Sequence, residues 1–365
     1  MTDAAASSSR RRMEAVRRHL LPRPPPVLSL NQLSAPEAGQ SPMIIGGMVL
    51  DIHAKPSVPP HPGTTVPGMV KYIGGGVARN IAECMAKLGT QPLMISAIGD
   101  DMAGNFLLKY WKLAGLCTDG ILQVPDVTTP VVSNVFDGNG ELFAGVASVQ
   151  AVETFLTPSW IYQFYRRIST APLLMLDANL SPESLQAACK IAYESGVPVL
   201  FEPVSVVKSS RITPIAEHGI KLLLVTLGSN GVFICCREHV NFMKDQKRCK
   251  VTPFSTQLLE KLEGCSLSSM PVNLSREGSS RTCVFHLPAT SASVVSLTGA
   301  GDCLVGGFLS SLCGGLDIMQ SVAVGIAVAK ASVESEANIP ANFSAASIAD
   351  EARRTFLSAR QIWCQ

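Results

Sequence analysis

Charge is scarce in this chain. Asp, Glu, Lys and Arg supply 16% of its 365 residues and aromatics only 6%, against 47% hydrophobic residues. That balance predicts a globular protein with a sizeable core. The charge that exists nearly cancels, at +2. Residues 1–23 hold six arginines and two acids, which leaves 24 basic and 26 acidic residues, about −2, for the remainder. No basic character is left to favour a nucleic acid. No apolar run approaches the length of a membrane span. The eleven cysteines are odd in number and form no C-x-x-C pair. Several sit in apolar surroundings, such as Cys84, Cys189, Cys303 and Cys313. They predict free, buried thiols in a reducing compartment, and no His and Cys cluster suggests a metal centre. No G-x-G-x-x-G follows the first strand with an acid about 20 residues on, which argues against a nucleotide-dependent oxidoreductase.

What is present centres on residues 294–312, VVSLTGAGDCLVGGFLSSL. The β-branched pair Val294-Val295 predicts a strand. Thr298-Gly299-Ala300-Gly301-Asp302 reads as a turn, and Leu304, Val305, Phe308, Leu309 and Leu312 are spaced as a helix. Strand, glycine turn and helix together aim backbone N–H groups and a helix dipole at one point, an arrangement that suits an anion. A carboxylate there could accept a proton from an attacking hydroxyl. Asp302 equally suits a plain helix N-terminus stabilised by the dipole. No Gly-Lys-Ser/Thr follows, so this is not a Walker A loop.

Residues 1–42 are rich in Ala, Ser, Arg and Pro and read as a leader outside the folded domain, 43–365. Within it, Arg12 to Leu20 (RMEAVRRHL) resembles an amino-terminal peroxisomal nonapeptide signal, with Met13 where Leu, Val or Ile is usual. That address implies a peroxisome. An organellar transit peptide and a plain tail on a cytoplasmic protein are the other readings.

Residues 43–52 (MIIGGMVLDI) predict one buried strand ending in Asp51, a carboxylate able to accept two hydrogen bonds from a sugar diol. In residues 73–89, three glycines, Gly74 to Gly76, precede a helix with Asn80 on its first turn and Gly89 as its stop. Residues 121–150 turn β-rich around Asp137-Gly138-Asn139-Gly140, a hairpin signal and a candidate lid. From 151 onward strands and helices alternate. Strands are expected at 173–177, 198–202, 221–226 and 232–236, with helices at 182–195, 317–336 and 345–360. Residues 241–281 read as a long polar surface loop.

Taken together, the strand ending in Asp51, GGGVARN, VTLGSNG at 225–231 and TGAGD resemble the PfkB, or ribokinase-like, carbohydrate kinase family over roughly residues 43–350. The resemblance implies an α/β fold, a three-layer α/β/α sandwich with a small β lid from 121–150. It implies Asp302 as base, with Gly299, Ala300 and Gly301 as anion hole. Asp51, Gly75, Gly76 and Asn80 would hold the sugar. Thr226, Gly228, Gly231 and Thr298 would line the nucleotide site. ATP and Mg²⁺ are the implied cofactors. K⁺ is a further one, although Ser296 stands where the family usually has Asp. Within the family, IGGMVLDIHAKP, GGGVARNIAE and FEPVS are most similar to the branch that phosphorylates pseudouridine. Ribose and adenosine kinases are the neighbouring alternative, and a homodimer is compatible. One departure is large. Only about twenty residues separate Glu202 from Val225, and no Asn-x-x-Glu occurs among them. A central βα unit is therefore expected to be missing, with Glu202 the remaining candidate for metal contact and a nucleoside-binding, catalytically impaired chain as a further reading.

Overall fold

The computed structural model describes residues 41–59, 61, 63–137, 142–148, 150–217, 219–237, 249, 252–262 and 282–364. The leader signal and the hairpin tip at 138–140 lie outside them. The first half runs β1 (Met43–Ile45), β2 (Val49–Pro56), β3 (Gly68–Gly75), α1 (Val77–Lys87), β4 (Leu93–Gly99), α2 (Met102–Leu113), β5 (Ile121–Val124), β6 (Val131–Phe136) and β7 (Leu142–Ser148). Next come α3 (Gln150–Phe155), α4 (Pro158–Tyr162), α5 (Tyr165–Ser169), β8 (Leu174–Asp177), α6 (Pro182–Glu194), β9 (Val199–Glu202) and α7 (Thr213–Ala216). The chain closes with β10 (Leu222–Thr226), β11 (Val232–Arg237), α8 (Pro253–Leu262), β12 (Thr282–Leu287), α9 (Ala300–Gly314), α10 (Ile318–Val333), α11 (Ala345–Leu357) and β13 (Arg360–Cys364). Among the described residues no helix is long and apolar enough to cross a membrane.

A parallel sheet in the order β5-β4-β1-β8-β9 forms the middle layer. Its central strands are apolar on both faces, as a sheet covered on two sides requires. Ile44, Met94 and Met175 point into a core shared with α1, α9 and α10. Met43, Ile45, Leu93, Ile95, Leu174 and Leu176 point the other way, onto α4, α5 and α6. The period-2 alternation of these strands thus builds the α/β/α layering.

The first strand is not continuous. Gly46-Gly47 interrupts it, so β1 stays in the parallel sheet while β2 enters a separate sheet ordered β3-β2-β6-β7. Gly46 has no room for a side chain, since a Cβ there would lie 2.3 Å from the Asp177 carboxylate. Asp51 consequently sits inside β2, opposite Ile73 and Val132, and not at the end of a buried strand. The lid is also larger than 121–150: β2 and β3 form half of it, and β5 belongs to the parallel sheet.

Three more expectations change. The stretch 241–281 contains α8, which buries Leu258 and Leu262, so it is not loop throughout; most of the remainder lies outside the described residues. Val294-Val295 is exposed and forms no strand, only backbone hydrogen bonds from Val295 and Ser296 to the Val333 carbonyl. Thiols are not all free: the antiparallel register sets Cys283 opposite Cys364, and the two form a disulfide. Cys84, Cys117, Cys189, Cys235, Cys236, Cys249, Cys303 and Cys313 are free.

The expected gap after Glu202 has a structural counterpart. β9 is the open edge of the parallel sheet, and β10 is the open edge of a separate antiparallel sheet, β10-β11-β12-β13. Leu223 and Val225 on β10 are exposed, as are Val294, Val295 and Leu297. A strand pairs only if a neighbour supplies the opposite row of N–H and C=O groups. With none between β9 and β10, the two sheets do not join, and Val294-Val295 has no ladder to enter.

Candidate active site

The site is assembled by two helices that begin at the sheet and run side by side. Gly76, with φ +96°, precedes α1, and a Cβ there would lie 2.5 Å from the Gly47 carbonyl oxygen. Gly299, with φ +83°, is the N-cap of α9. Both positions lie in the left-handed region where glycine costs least. α1 and α9 approach closely because Gly306 has no side chain: a Cβ would sit 2.7 Å from Cys84 Cβ. Four residues earlier on each helix, Asn80 Nδ2 donates to Asp302 Oδ2 at 2.7 Å. The two contacts step equally along both helices, so α1 and α9 are parallel here and present both N-termini to one cleft.

Asp51 reaches this cleft from β2. Gly75 lies directly over it, and a Cβ on Gly75 would come within 2.1 Å of Asp51 Oδ2. Burial lifts the Asp51 carboxyl to about 6, with the Arg79 charge and the Asn338 side chain holding it down. Asn338 is buried, and its Nδ2 closes no hydrogen bond of ordinary geometry, so a donor waits beside Asp51. Burial also lifts Asp302, to about 7. The Asn80 hydrogen bond opposes that rise, while the negative charges of Glu202, Asp177 and Asp51 add to it. The fully buried Asp177 is raised by desolvation against hydrogen bonds from the Gly47 and Asn179 amides, at 2.8 and 2.9 Å. Glu202, at the end of β9, is raised by burial and by Asp177, and accepts from the Val204 amide.

The structure therefore brings Asp51, Gly75, Gly76, Asn80 and Asp302 into one place, with Glu202 within electrostatic reach. Gly299, Ala300 and Gly301 form the mouth of α9, where no side chain caps the first N–H groups and the Ala300 amide makes only a long bond, 3.4 Å, to the Leu297 carbonyl. At Gly301 a Cβ would meet nothing within 4 Å, so the mouth is open. This fits a phosphoryl group. Thr298 leads into the mouth, its amide donating to Ser296 Oγ at 3.3 Å. Thr226, Gly228 and Gly231 lie on β10 and the turn to β11 in the antiparallel sheet, and among the described residues no hydrogen bond ties them to Asp302. Carboxylates able to hold a metal are a different matter. Among the described residues no group of three or more His, Cys, Asp or Glu has metal-binding geometry, and both Asp177 oxygens accept from backbone amides. A Mg²⁺ carried on ATP phosphates needs only one or two protein carboxylates, which leaves Glu202 as the residue that would hold it.

Sequence reasoning assigned no role to Arg79, Asp177 or Asn338. Asp177 carried a signal, since it ends the apolar strand Leu173–Asp177 as Asp51 was expected to end the first. Asn338 carried none, because its place beside Asp51 depends on a contact across 287 residues.

The match to the pfkB family carbohydrate kinases covers residues 42–216 and 263–342. The chain is 43% identical to a pseudouridine kinase of Arabidopsis thaliana over 378 positions, spanning 88% of this chain and 98% of that protein. It is 27% identical to a pseudouridine kinase of Escherichia coli (strain K12), over 77% and 86% of the two. The solved structure of an Arabidopsis thaliana ribokinase complexed with ribose and ATP superposes with a TM-score of 0.63 at 17% identity, over 86% of this chain and 99% of that one, a likeness of fold. Against the Arabidopsis pseudouridine kinase, 88% of 365 residues is about 321, so about 57 of the 378 positions have no counterpart here.

Proposed function

This chain belongs to the pfkB family of carbohydrate kinases, and from that premise we propose that it transfers the terminal phosphoryl group of ATP to the 5′-hydroxyl of pseudouridine. The observation that carries the reading is the 2.7 Å hydrogen bond from Asn80 to Asp302, which links the helix beneath Asp51 to the mouth of α9. In this mechanism Asp51, Gly75, Gly76 and Asn80 hold the ribose. Asp302 takes the proton of the 5′-hydroxyl as its oxygen bonds to the γ-phosphorus. The bond from that phosphorus to the β,γ-bridging oxygen breaks, and ADP leaves. The amides of Gly299, Ala300 and Gly301 stabilise the charge on the transferring group. A carboxyl titrating at about 7 is matched to a base working near neutral pH. Thr226, Gly228, Gly231 and Thr298 line the nucleotide side. Mg²⁺ accompanies ATP in kinases of this kind and would supply charge neutralisation when bound, with Glu202 the carboxylate that would hold it. Exposed Met69, Val70, Tyr72, Phe143 and Val146 on the lid sheet support a homodimer, and the Arg12–Leu20 match supports a peroxisomal address.

A second reading has its own support. About 57 positions of the Arabidopsis relative are absent here, β9 and β10 stand as open edges, and among the described residues no group of three or more His, Cys, Asp or Glu is placed to hold a metal. On that reading the chain binds the nucleoside and turns over poorly. The test is ADP release with Mg·ATP and a panel of pseudouridine, uridine, adenosine and ribose. It is run on this chain and on one with a βα segment restored between Glu202 and Val225. Phosphorylation of pseudouridine ahead of the others supports the proposal. Binding without turnover, relieved by restoration, supports the second reading. Preference for another acceptor overturns the substrate assignment.

A further inference from the structure

Arg79 is the third residue of α1, and the residue is only 9% exposed. Its Nη1 donates to the Gly74 carbonyl at 2.6 Å and to Asn80 Oδ1 at 3.0 Å, while Nη2 pairs with Glu83. Glu83 has a second partner, Lys87 Nζ at 2.7 Å, so Arg79 is not needed to neutralise it. Gly74 is shaped around the guanidinium: a Cβ there would lie 2.6 Å from Arg79 Cζ. A buried arginine with this much accommodation has a purpose at the site.

An asparagine side chain has two nearly isosteric orientations, with oxygen and nitrogen exchanged. Only one serves here. If Asn80 turned over, its oxygen would face the Asp302 carboxylate and the hydrogen bond would become a repulsion. Arginine has donors and no acceptor. Bonded to Asn80 Oδ1, it accepts only the orientation that aims Nδ2 at Asp302. We propose that Arg79 is a positioning residue that fixes the Asn80 amide, and through it the Asp302 carboxylate, for phosphoryl transfer. The inference rests on the kinase reading for its consequence in rate but not for its geometry. Arg79 also places a positive charge near Asp51 and Asp302, the two carboxylates on which the reaction depends.

The test is a double-mutant cycle on kcat/KM for pseudouridine, using Arg79→Ala, Asn80→Ala and the pair. A charged hydrogen bond contributes enough that Arg79→Ala should lower kcat/KM by about tenfold to a hundredfold. If Arg79 acts through Asn80, the same change in the Asn80→Ala background should cost less than about threefold. Equal costs in both backgrounds overturn the proposal. Arg79→Lys, which keeps a donor and the charge, should retain much of the rate and serves if the alanine variant does not fold. A second readout needs no substrate. The Asn80 side-chain NH₂ resonances should titrate with Asp302, which Asp51, Asp177 and Glu202 also face, lose that response in Arg79→Ala and keep it in Arg79→Lys, which retains a donor to Oδ1. An unchanged titration in Arg79→Ala, or one lost in Arg79→Lys with the rate retained, overturns the positioning role. A chain that fails to phosphorylate pseudouridine, yet loses the titration on substitution, leaves the positioning role standing and removes only the kinase reading.

Discussion

Asp302→Asn should make the protein more stable while stopping its chemistry, and the gain should grow with pH. The Asp302 carboxyl is lifted from an ordinary 3.8 to about 7 by burial and by its acidic neighbours. A carboxyl raised in the folded state favours folding while protonated. Its contribution is fully present below 3.8 and is lost as pH rises through about 7. At pH 5 the folded protein bears a penalty of roughly 1.7 kcal/mol for this group, and at pH 8 roughly 4 kcal/mol, from the linkage relation. Asparagine keeps the shape, accepts from Asn80 through its oxygen and carries no charge. Urea denaturation of both proteins at pH 5, 6.5 and 8 should show the variant's advantage widening by roughly 2–3 kcal/mol across the range. The comparison cancels, to first order, every group that the two proteins share. An advantage that stays constant with pH, or a variant less stable at pH 8, would refute the argument that Asp302 is a strained anion within the carboxylate group.

Further expectations follow from the same geometry. The rate with saturating ATP should rise about tenfold between pH 6 and pH 8, as the ionised fraction of a group titrating near 7 goes from about 0.09 to about 0.91; a flat profile removes Asp302 as the base, and Asp302→Asn should cost about 10²–10⁴ in kcat. Gly306→Val should push α1 from α9 at Cys84, destabilise by roughly 1–3 kcal/mol through overpacking, and lower turnover by separating Asn80 from Asp302, as thermal melts and steady-state kinetics would register. A fluorescent reporter carrying residues 1–42 should collect in peroxisomes and become diffuse on Arg12→Ala; diffuse signal from the unaltered leader removes that address.

Local chemistry made much of this protein legible before any coordinates. The alternation of Met43, Ile44 and Ile45 and of Leu93 to Ile95 specifies strands covered on both faces. Gly76 and Gly299 mark the two sites where only a residue without Cβ tolerates the turn into a helix. Motif order tied Asp51, Asn80 and Asp302 to one chemistry, and the short stretch after Glu202 foretold a gap in the sheet. These are properties of a few neighbouring residues, or of their order along the chain.

Other features depend on which distant segments meet. Gly46-Gly47 could be read as part of one strand until Asp177, 131 residues on, occupied the space a side chain would need. Val294-Val295 has strand propensity but no neighbour to pair with, because pairing belongs to two strands and not to one. Arg79 looked like an ordinary charge on a helix; its partners Gly74 and Asn80 are local, yet its meaning comes from Asp302, 223 residues away. The sequence by itself determined most of the elements, the glycine turns and the candidate reacting groups, since those follow from local sterics and side-chain chemistry. Only the tertiary structure decided which carboxylates share one cleft and how far burial moves their protons, since both depend on what lies across the fold.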